Sequence, residues 1–299
     1  MITIDLSGGL GNQLFQVVAT IALAIRQNQL FCFTYTESHG TELKEETTRF
    51  TYWNTILKNL KKYTLVEPKK YLESDTFHIE EISHRYHKMD FIDLCDNNLF
   101  ILKGYFQSYK YFQNEFSKIY DMIGFGGMKD DVIKKYDTLS RVMVEDDNSI
   151  SIHFRLGDYK GRIDWHPILE VEYFKKSLDS ILKRVRPDKD INVFYFCEEE
   201  DNDYVYYLVD EIRRHFSHSN WKHLDCIFHH IPSEISDWEQ LLLMSICRHN
   251  IIANSTFSLW AAYLNTNPSK LVCYPKEWFG VRNLSKTTDM FPESYIKIS

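Results

Sequence analysis

The residues best suited to chemistry sit in the run His153-Phe154-Arg155-Leu156-Gly157-Asp158-Tyr159. It follows an apolar stretch at 149–154 that reads as a strand. Ile150, Ile152 and Phe154 share one strand face, so His153 and Arg155 emerge on the other, at the strand's carboxyl end. A planar guanidinium there can grip a diphosphate through two N–H groups and neutralise charge that builds on a leaving group. Gly157 lets the loop turn, and Asp158 can orient Arg155 or take up a proton. The competing reading is a surface Arg–Asp pair beside a satisfied core histidine.

Two further loops carry candidate ligands for an anion. Gly8-Gly9-Leu10-Gly11-Asn12-Gln13 ends the first strand and opens a helix, so backbone can come close to a ligand beneath a positive helix end. Gly9-Leu10-Gly11 begins a dinucleotide fingerprint, but Leu14 occupies the third glycine position and the match fails. Asn12 and Gln13 are expected to project their amides toward a cleft. Asn254-Ser255-Thr256-Phe257-Ser258 offers three hydroxyls at a helix start, which either bind phosphate oxygens or cap the helix. Asp201-Asn202-Asp203 is a D-x-D that could hold a divalent metal with a nucleotide sugar, although the acidic loop 198–203 also reads as a solvated cap.

These loops need elements to position them. Residues 1–6 read as a strand, 12–27 as a helix buried on more than one face, and 30–35 as a second strand. This order implies a parallel sheet with ligand loops at the strands' carboxyl ends. The stretch 36–91 has no clear periodicity. A strand is expected at 99–102, a helix at 109–120 and a flexible break at 124–131, with a domain boundary inside 124–148. Beyond it the rhythm is clearer: strands at 149–154, 191–196, 250–253 and 270–274, and helices at 170–185, 204–216, 237–248 and 258–264. Asp237 and Gln240 form an expected capping box.

Composition sets limits on function. There are 299 residues with 35 Lys+Arg against 42 Asp+Glu, a net charge of −7, so no basic surplus exists for a nucleic-acid backbone. Any phosphate must be held by a local site. No run approaches the ~20 apolar residues of a membrane span, and no signal peptide is apparent. A cytoplasmic protein is expected, with peripheral membrane association left open. Cys32, Cys95, Cys197, Cys226, Cys247 and Cys273 lack metal-ligand spacing and read as reduced, mostly buried thiols.

Four ordered motifs, at 8–16 (GGLGNQLFQ), 104–112 (GYFQSYKYF), 153–159 (HFRLGDY) and 254–264 (NSTFSLWAAYL), resemble the family 11 glycosyltransferases, the α-1,2-fucosyltransferases that use GDP-fucose. The resemblance implies an α/β, GT-B-like fold of two Rossmann-like domains facing a central cleft, here 1–140 on the acceptor side and 141–299 on the nucleotide-sugar side. The C-terminal tail is expected to pack back on the first domain. It also implies inverting transfer of fucose from GDP-fucose to an oligosaccharide, with no cofactor and no metal. Arg155 would hold the β-phosphate, His153 would lie near the nucleoside, Asn12 near the reacting centre, and Gly9, Gly11, Gln13, Gly157, Ser255, Thr256, Phe257 and Ser258 around the donor. Two departures stand out. Leu156 replaces a second arginine, and Cys197-Glu198-Glu199 replaces S-D-D, with Glu199 as the stand-in base or ribose contact. Asp158 and His166 are both candidates for the base, and the acceptor is expected to be set by 36–91. The alternatives are a metal-dependent GT-A enzyme using Asp201 and Asp203, and a non-catalytic binding module whose aromatic-rich stretch 50–120 stacks glycans.

Overall fold

The computed structural model describes residues 1–39, 49–66, 75–82, 85–89, 98–283 and 287–299. Parts of the 36–91 and 50–120 stretches, and Cys95, lie outside them. The chain divides into two α/β units, Met1–Met128 with Ser285–Pro292, and Lys129–Leu284 with Glu293–Ser299. The division therefore falls ahead of residue 140, and the C-terminal tail is shared between the units. Among the described residues, no helix is long and apolar enough to cross a membrane.

The first unit contains β1 (Ile2–Ile4), α1 (Leu10–Gln27), β2 (Phe33–Thr34), β3 (Ser38–His39), β4 (Arg49–Phe50), β5 (Thr64–Leu65), β6 (Thr76–Glu80), β7 (Leu99–Lys103) and α2 (Phe116–Ile123). Its main sheet is parallel in the order β1-β7-β6. The parallel pair β2–β5 is tied to β1 by a bridge between Ile2 and Phe31. Every residue of α1 from Leu10 to Ala24 is buried except Asn12, so burial rather than helix propensity holds this helix.

The expected helix at 109–120 is instead a short 3-10 turn, Tyr109–Tyr111, followed by α2. The expected break at 124–131 is also overturned: Gly124 closes α2, and α3 (Phe125–Lys135) begins at once. Phe125, Met128 and Val132 are buried on one side of α3. That burial outweighs the ~1 kcal/mol each that Gly126 and Gly127 cost a helix.

The second unit continues with α4 (Asp137–Glu145), β8 (Ile150–His153), α5 (Val171–Val185), β9 (Ile191–Phe196), α6 (Asn202–Ser217), β10 (Cys226–His230), α7 (Asp237–Ile246), β11 (His249–Ile251), α8 (Thr256–Leu264), β12 (Val272–Pro275) and β13 (Ile296–Ile298). All six strands are parallel, in the order β10-β9-β8-β11-β12-β13. The α/β class with parallel sheets is as the motifs implied. From β8 the chain winds outward through β9 and β10, then returns to β8's other side as β11 and winds the opposite way. The strand order thus reverses between β8 and β11, and in open α/β sheets ligands bind at the carboxyl ends beside such a switch point.

Buried polar groups fix these two strands. Asn250 donates to Ser151 Oγ (2.7 Å) across β11–β8 and to Met244 O, while Asn265 donates to Asn250 Oδ1. Tyr173 of α5 donates to the carbonyls of Ile252 and Cys273. Lys129 and Lys270 donate to carbonyls at the end of α8, and burial lowers both ammonium groups to about 8. The capping residue of α7 is Ser236, not Asp237; its hydroxyl donates to Glu239 (2.6 Å). The described cysteines form no disulfide, and Cys197, Cys247 and Cys273 are buried.

Candidate active site

Beyond β8 the apolar side chains Phe154 and Leu156 join the core formed with α5 and α6, which leaves Arg155 facing away from it. Arg155 donates to Asp158 (2.5 Å) and to Glu198, and its guanidinium lies 5.2 Å from the Tyr159 ring centre. Tyr159 in turn stacks on His166 at 4.5 Å and 18°, and its hydroxyl donates to Asn254 O (3.0 Å). This layered arrangement holds the guanidinium at the β8 end of the switch point. It is a preorganised cation with two carboxylates in bonding reach.

The glycine after Leu156 is required. Gly157 has φ +25°, and a Cβ there would run into the Glu198 carboxylate. Its N–H donates to Asp201 Oδ2 (2.8 Å), and Lys160 donates to Asp201 Oδ1. Asp201 is only 1% exposed, so it departs from the reading of the acidic loop as a solvated cap, while Glu199, Glu200 and Asp203 are exposed in keeping with it. The Asp201 carboxylate supports the arginine loop from beneath.

Glu198, Glu200 and Asp201 bring ligand atoms within 4.8 Å of one another. Two of the three are already engaged, Glu198 by Arg155 and Asp201 by Lys160 and the Gly157 amide. A cation at this cluster would compete with both cations. Asp203 is exposed and takes no part, so the D-x-D does not act as a pair. Glu199 is exposed as well, and the carboxylate that reaches Arg155 is Glu198, which sequence reasoning passed over.

At the β11 end the three hydroxyls separate. Ser255 caps α8 by accepting from Phe257 N (3.3 Å). Ser258 is fully buried and donates to Ala253 O and Ser255 O, so it does not face a ligand. Thr256 is half-buried at the helix start. Phe257 packs against His153 with ring centres 5.3 Å apart. Asn254, which sequence reasoning did not single out, donates to Pro167 O and Trp278 O, leaving Oδ1 buried without a partner.

In the first unit the glycine loop behaves differently from expectation. The positive φ (+76°) falls on Gly8, whereas Gly9 is the N-cap of α1 and Gly11 is buried inside it. Helix α1 starts at Leu10, not Asn12. Gln13 does not project: it is fully buried, and its amide donates to Gly8 O (3.0 Å) and Phe50 O (2.9 Å). Asn12 is the half-buried member and accepts from Gln107 Nε2 (2.9 Å), which places 104–108 beside it. Gln16, also buried, ties Ser7 to Gly104.

Burial dominates the site's protonation. His153 is pushed down to about 3, first by burial and then by Arg155, and its Nδ1 has no partner. His249 is pushed down to about 4, again chiefly by burial. An unfolded histidine takes up its proton near 6.5, so stability is complete above that pH and declines as pH falls toward the folded values. Each such group contributes a slope of up to ~1.4 kcal/mol per pH unit. Urea unfolding at pH 7.5 and 5.5 is expected to show a lower midpoint at 5.5. His153→Gln should narrow the gap, and equal midpoints for the parent protein would contradict the assignment.

Comparison with known proteins then gives the family. Residues 1–298 match the profile of Glycosyl transferase family 11. The chain belongs to that family. Two Escherichia coli proteins are similar to this family 11 chain over nearly full length. One is an O-antigen biosynthesis glycosyltransferase, WbnK, at 26% identity, covering 95% of this chain and 96% of the relative. The other is an alpha-1,2-colitosyltransferase, also at 26%, covering 98% and 97%. Among solved structures, a mutant of FUT1 from Arabidopsis thaliana in complex with GDP aligns at 10% identity with a TM-score of 0.49, covering 99% of this chain and 75% of that one. The α-1,6-fucosyltransferase NodZ, soaked with GDP-fucose, aligns at 11% with a TM-score of 0.44, covering 88% and 92%.

Proposed function

We propose that this family 11 glycosyltransferase moves L-fucose from GDP-fucose to the 2-hydroxyl of a galactosyl residue in an oligosaccharide, by a single displacement with inversion and without metal. The observation that carries the reading is Arg155, held rigidly at the switch point of a six-stranded parallel sheet. Departure of a nucleoside diphosphate loads charge onto the leaving oxygens, so a fixed guanidinium stabilises the transition state more than the ground state. Support for an α-1,2 linkage comes from the relative that is an alpha-1,2-colitosyltransferase. The same relative favours a second reading of the donor, a nucleotide-linked colitose.

His153 and Phe257 line the nucleoside side of the site, Thr256 and the α8 N-terminus assist the diphosphate, and Asn12 is assigned to the reacting centre on the family resemblance. Asp201 serves as a positioning residue, which leaves no role for a metal at the acidic loop. The base is assigned to His166: Asp158 is committed to Arg155, whereas the buried His166 Nδ1 has no hydrogen-bond partner among the described residues and burial lowers the ring's pKa, which favours the neutral form.

A neutral base is lost on protonation. The acid limb of kcat/KM is therefore expected to be centred below pH 6.5. His166→Ala should remove this limb and slow transfer ~10²-fold. A parent limb centred above 6.5 would contradict the assignment. Stereochemistry is tested by NMR of the product, where an α-fucosyl signal with the link at the 2-position is expected. A retained anomeric configuration would overturn the single displacement.

A further inference from the structure

We infer that a concavity of about 470 Å3 beside the arginine loop is a pyranose-binding subsite, with Trp165 as its stacking platform. The inference rests on the transferase reading and adds the place where a sugar ring sits. Arg162, Ile163, Asp164, Trp165, His166 and Arg282 line the cavity, all within the second unit. Its volume lies in the range of small-molecule sites.

The cavity is built rather than incidental. Gly280 N donates to Trp165 O (2.7 Å) and Arg282 N to Asp164 O (2.9 Å), so the two segments run together like a short ladder. A Cβ at Gly280 would collide with the Asp164 backbone, so this close approach requires glycine. Arg282 also pairs with Asp164 (3.1 Å).

Its chemistry matches a sugar. A pyranose has a face of C–H groups that packs on an aromatic ring, and a rim of hydroxyls that needs both donors and acceptors. Trp165 and Ile163, both in the cavity lining, are 46% and 58% exposed, so an aromatic ring and a neighbouring apolar side chain are open to a ligand there. Asp164 can accept, while Arg162 and Arg282 can donate, and among the described residues no carboxylate pairs with Arg162. The cavity also adjoins the reacting centre, because His166 in its wall stacks on Tyr159, over which Arg155 lies.

Kinetics with the full chain test this. Trp165→Ala is expected to raise the KM for a galactose-terminated oligosaccharide about tenfold, with Trp165→Phe restoring most of the loss. Unchanged GDP inhibition and an unchanged donor KM would mark the ring as the acceptor's. A raised donor KM with unchanged GDP inhibition would mark it as the donor's sugar. Either outcome supports the subsite. Weakened GDP binding would make Trp165 a nucleobase platform and overturn it, as would KM values within twofold of the parent for both substrates.

If the parent protein transfers no sugar, the functional reading fails by itself. Saturation-transfer NMR then decides the subsite separately, using the same oligosaccharide and GDP-fucose. Sugar C–H signals that vanish in Trp165→Ala while the guanine signals of GDP-fucose persist support it, and identical signals in parent and Trp165→Ala overturn it.

Discussion

Arg155→Ala is expected to lower kcat/KM by about 10³-fold or more while the protein stays folded. The side chain makes two ion pairs, but its partners Asp158 and Glu198 are 46% and 42% exposed and rehydrate once it is gone. Pairs this open contribute at most ~1 kcal/mol, so unfolding midpoints should barely move. The loss is expected in the proposed diphosphate binding and departure, and the neighbouring Leu156 offers no second guanidinium because its side chain is buried in the core. Arg155→Lys should recover only part of the activity, since a point charge keeps attraction but not the two-pronged grip. Titration of GDP and single-turnover kinetics on the purified variant check both halves. Near-parental turnover would remove Arg155 from the chemistry.

Asp201→Ala is the second large effect, about 10²-fold in kcat/KM, for a different reason. Its buried carboxylate accepts from the Gly157 amide and from Lys160, and so fixes the loop that carries Arg155. Removing it strands a buried N–H and leaves the arginine free to wander. Asp201→Asn keeps an acceptor for the Gly157 amide and should restore part of the rate. Excess EDTA on the parent enzyme separates positioning from metal binding directly. Full activity in EDTA with a crippled Asp201→Ala fits a positioning carboxylate, and loss of activity in EDTA fits the metal-dependent alternative.

The parts legible from sequence were those where a local pattern has one physical solution. The apolar alternation of 150–154 followed by charge placed Arg155 at a strand end, and β9 read as a strand because an interior strand covered on both faces is a near-continuous apolar run. The strands β6, β10 and β13 went unread because each lies at a sheet edge and mixes polar with apolar residues. Side-chain fate was harder still. Gln13 and Asn12 are neighbouring amides, yet α1 buries one fully and leaves the other half-buried, a distinction that depends on which way each faces from the helix. Ser255 and Ser258 look alike in sequence, but one caps α8 and the other is folded into its interior. Glu198, Glu199 and Asp201 form one acidic run whose members point three ways, to Arg155, to solvent and to the Gly157 amide. Only the turn after β9 decides which goes where.

The central claim is fucosyl transfer by Arg155-assisted departure of GDP. Purified protein incubated with GDP-fucose and a galactose-terminated oligosaccharide in excess EDTA, followed by mass spectrometry, tests it most directly. The account predicts release of GDP and a product heavier by one deoxyhexose, both lost in Arg155→Ala. Tight GDP binding with no product across a broad panel of acceptors and deoxyhexose donors would contradict it.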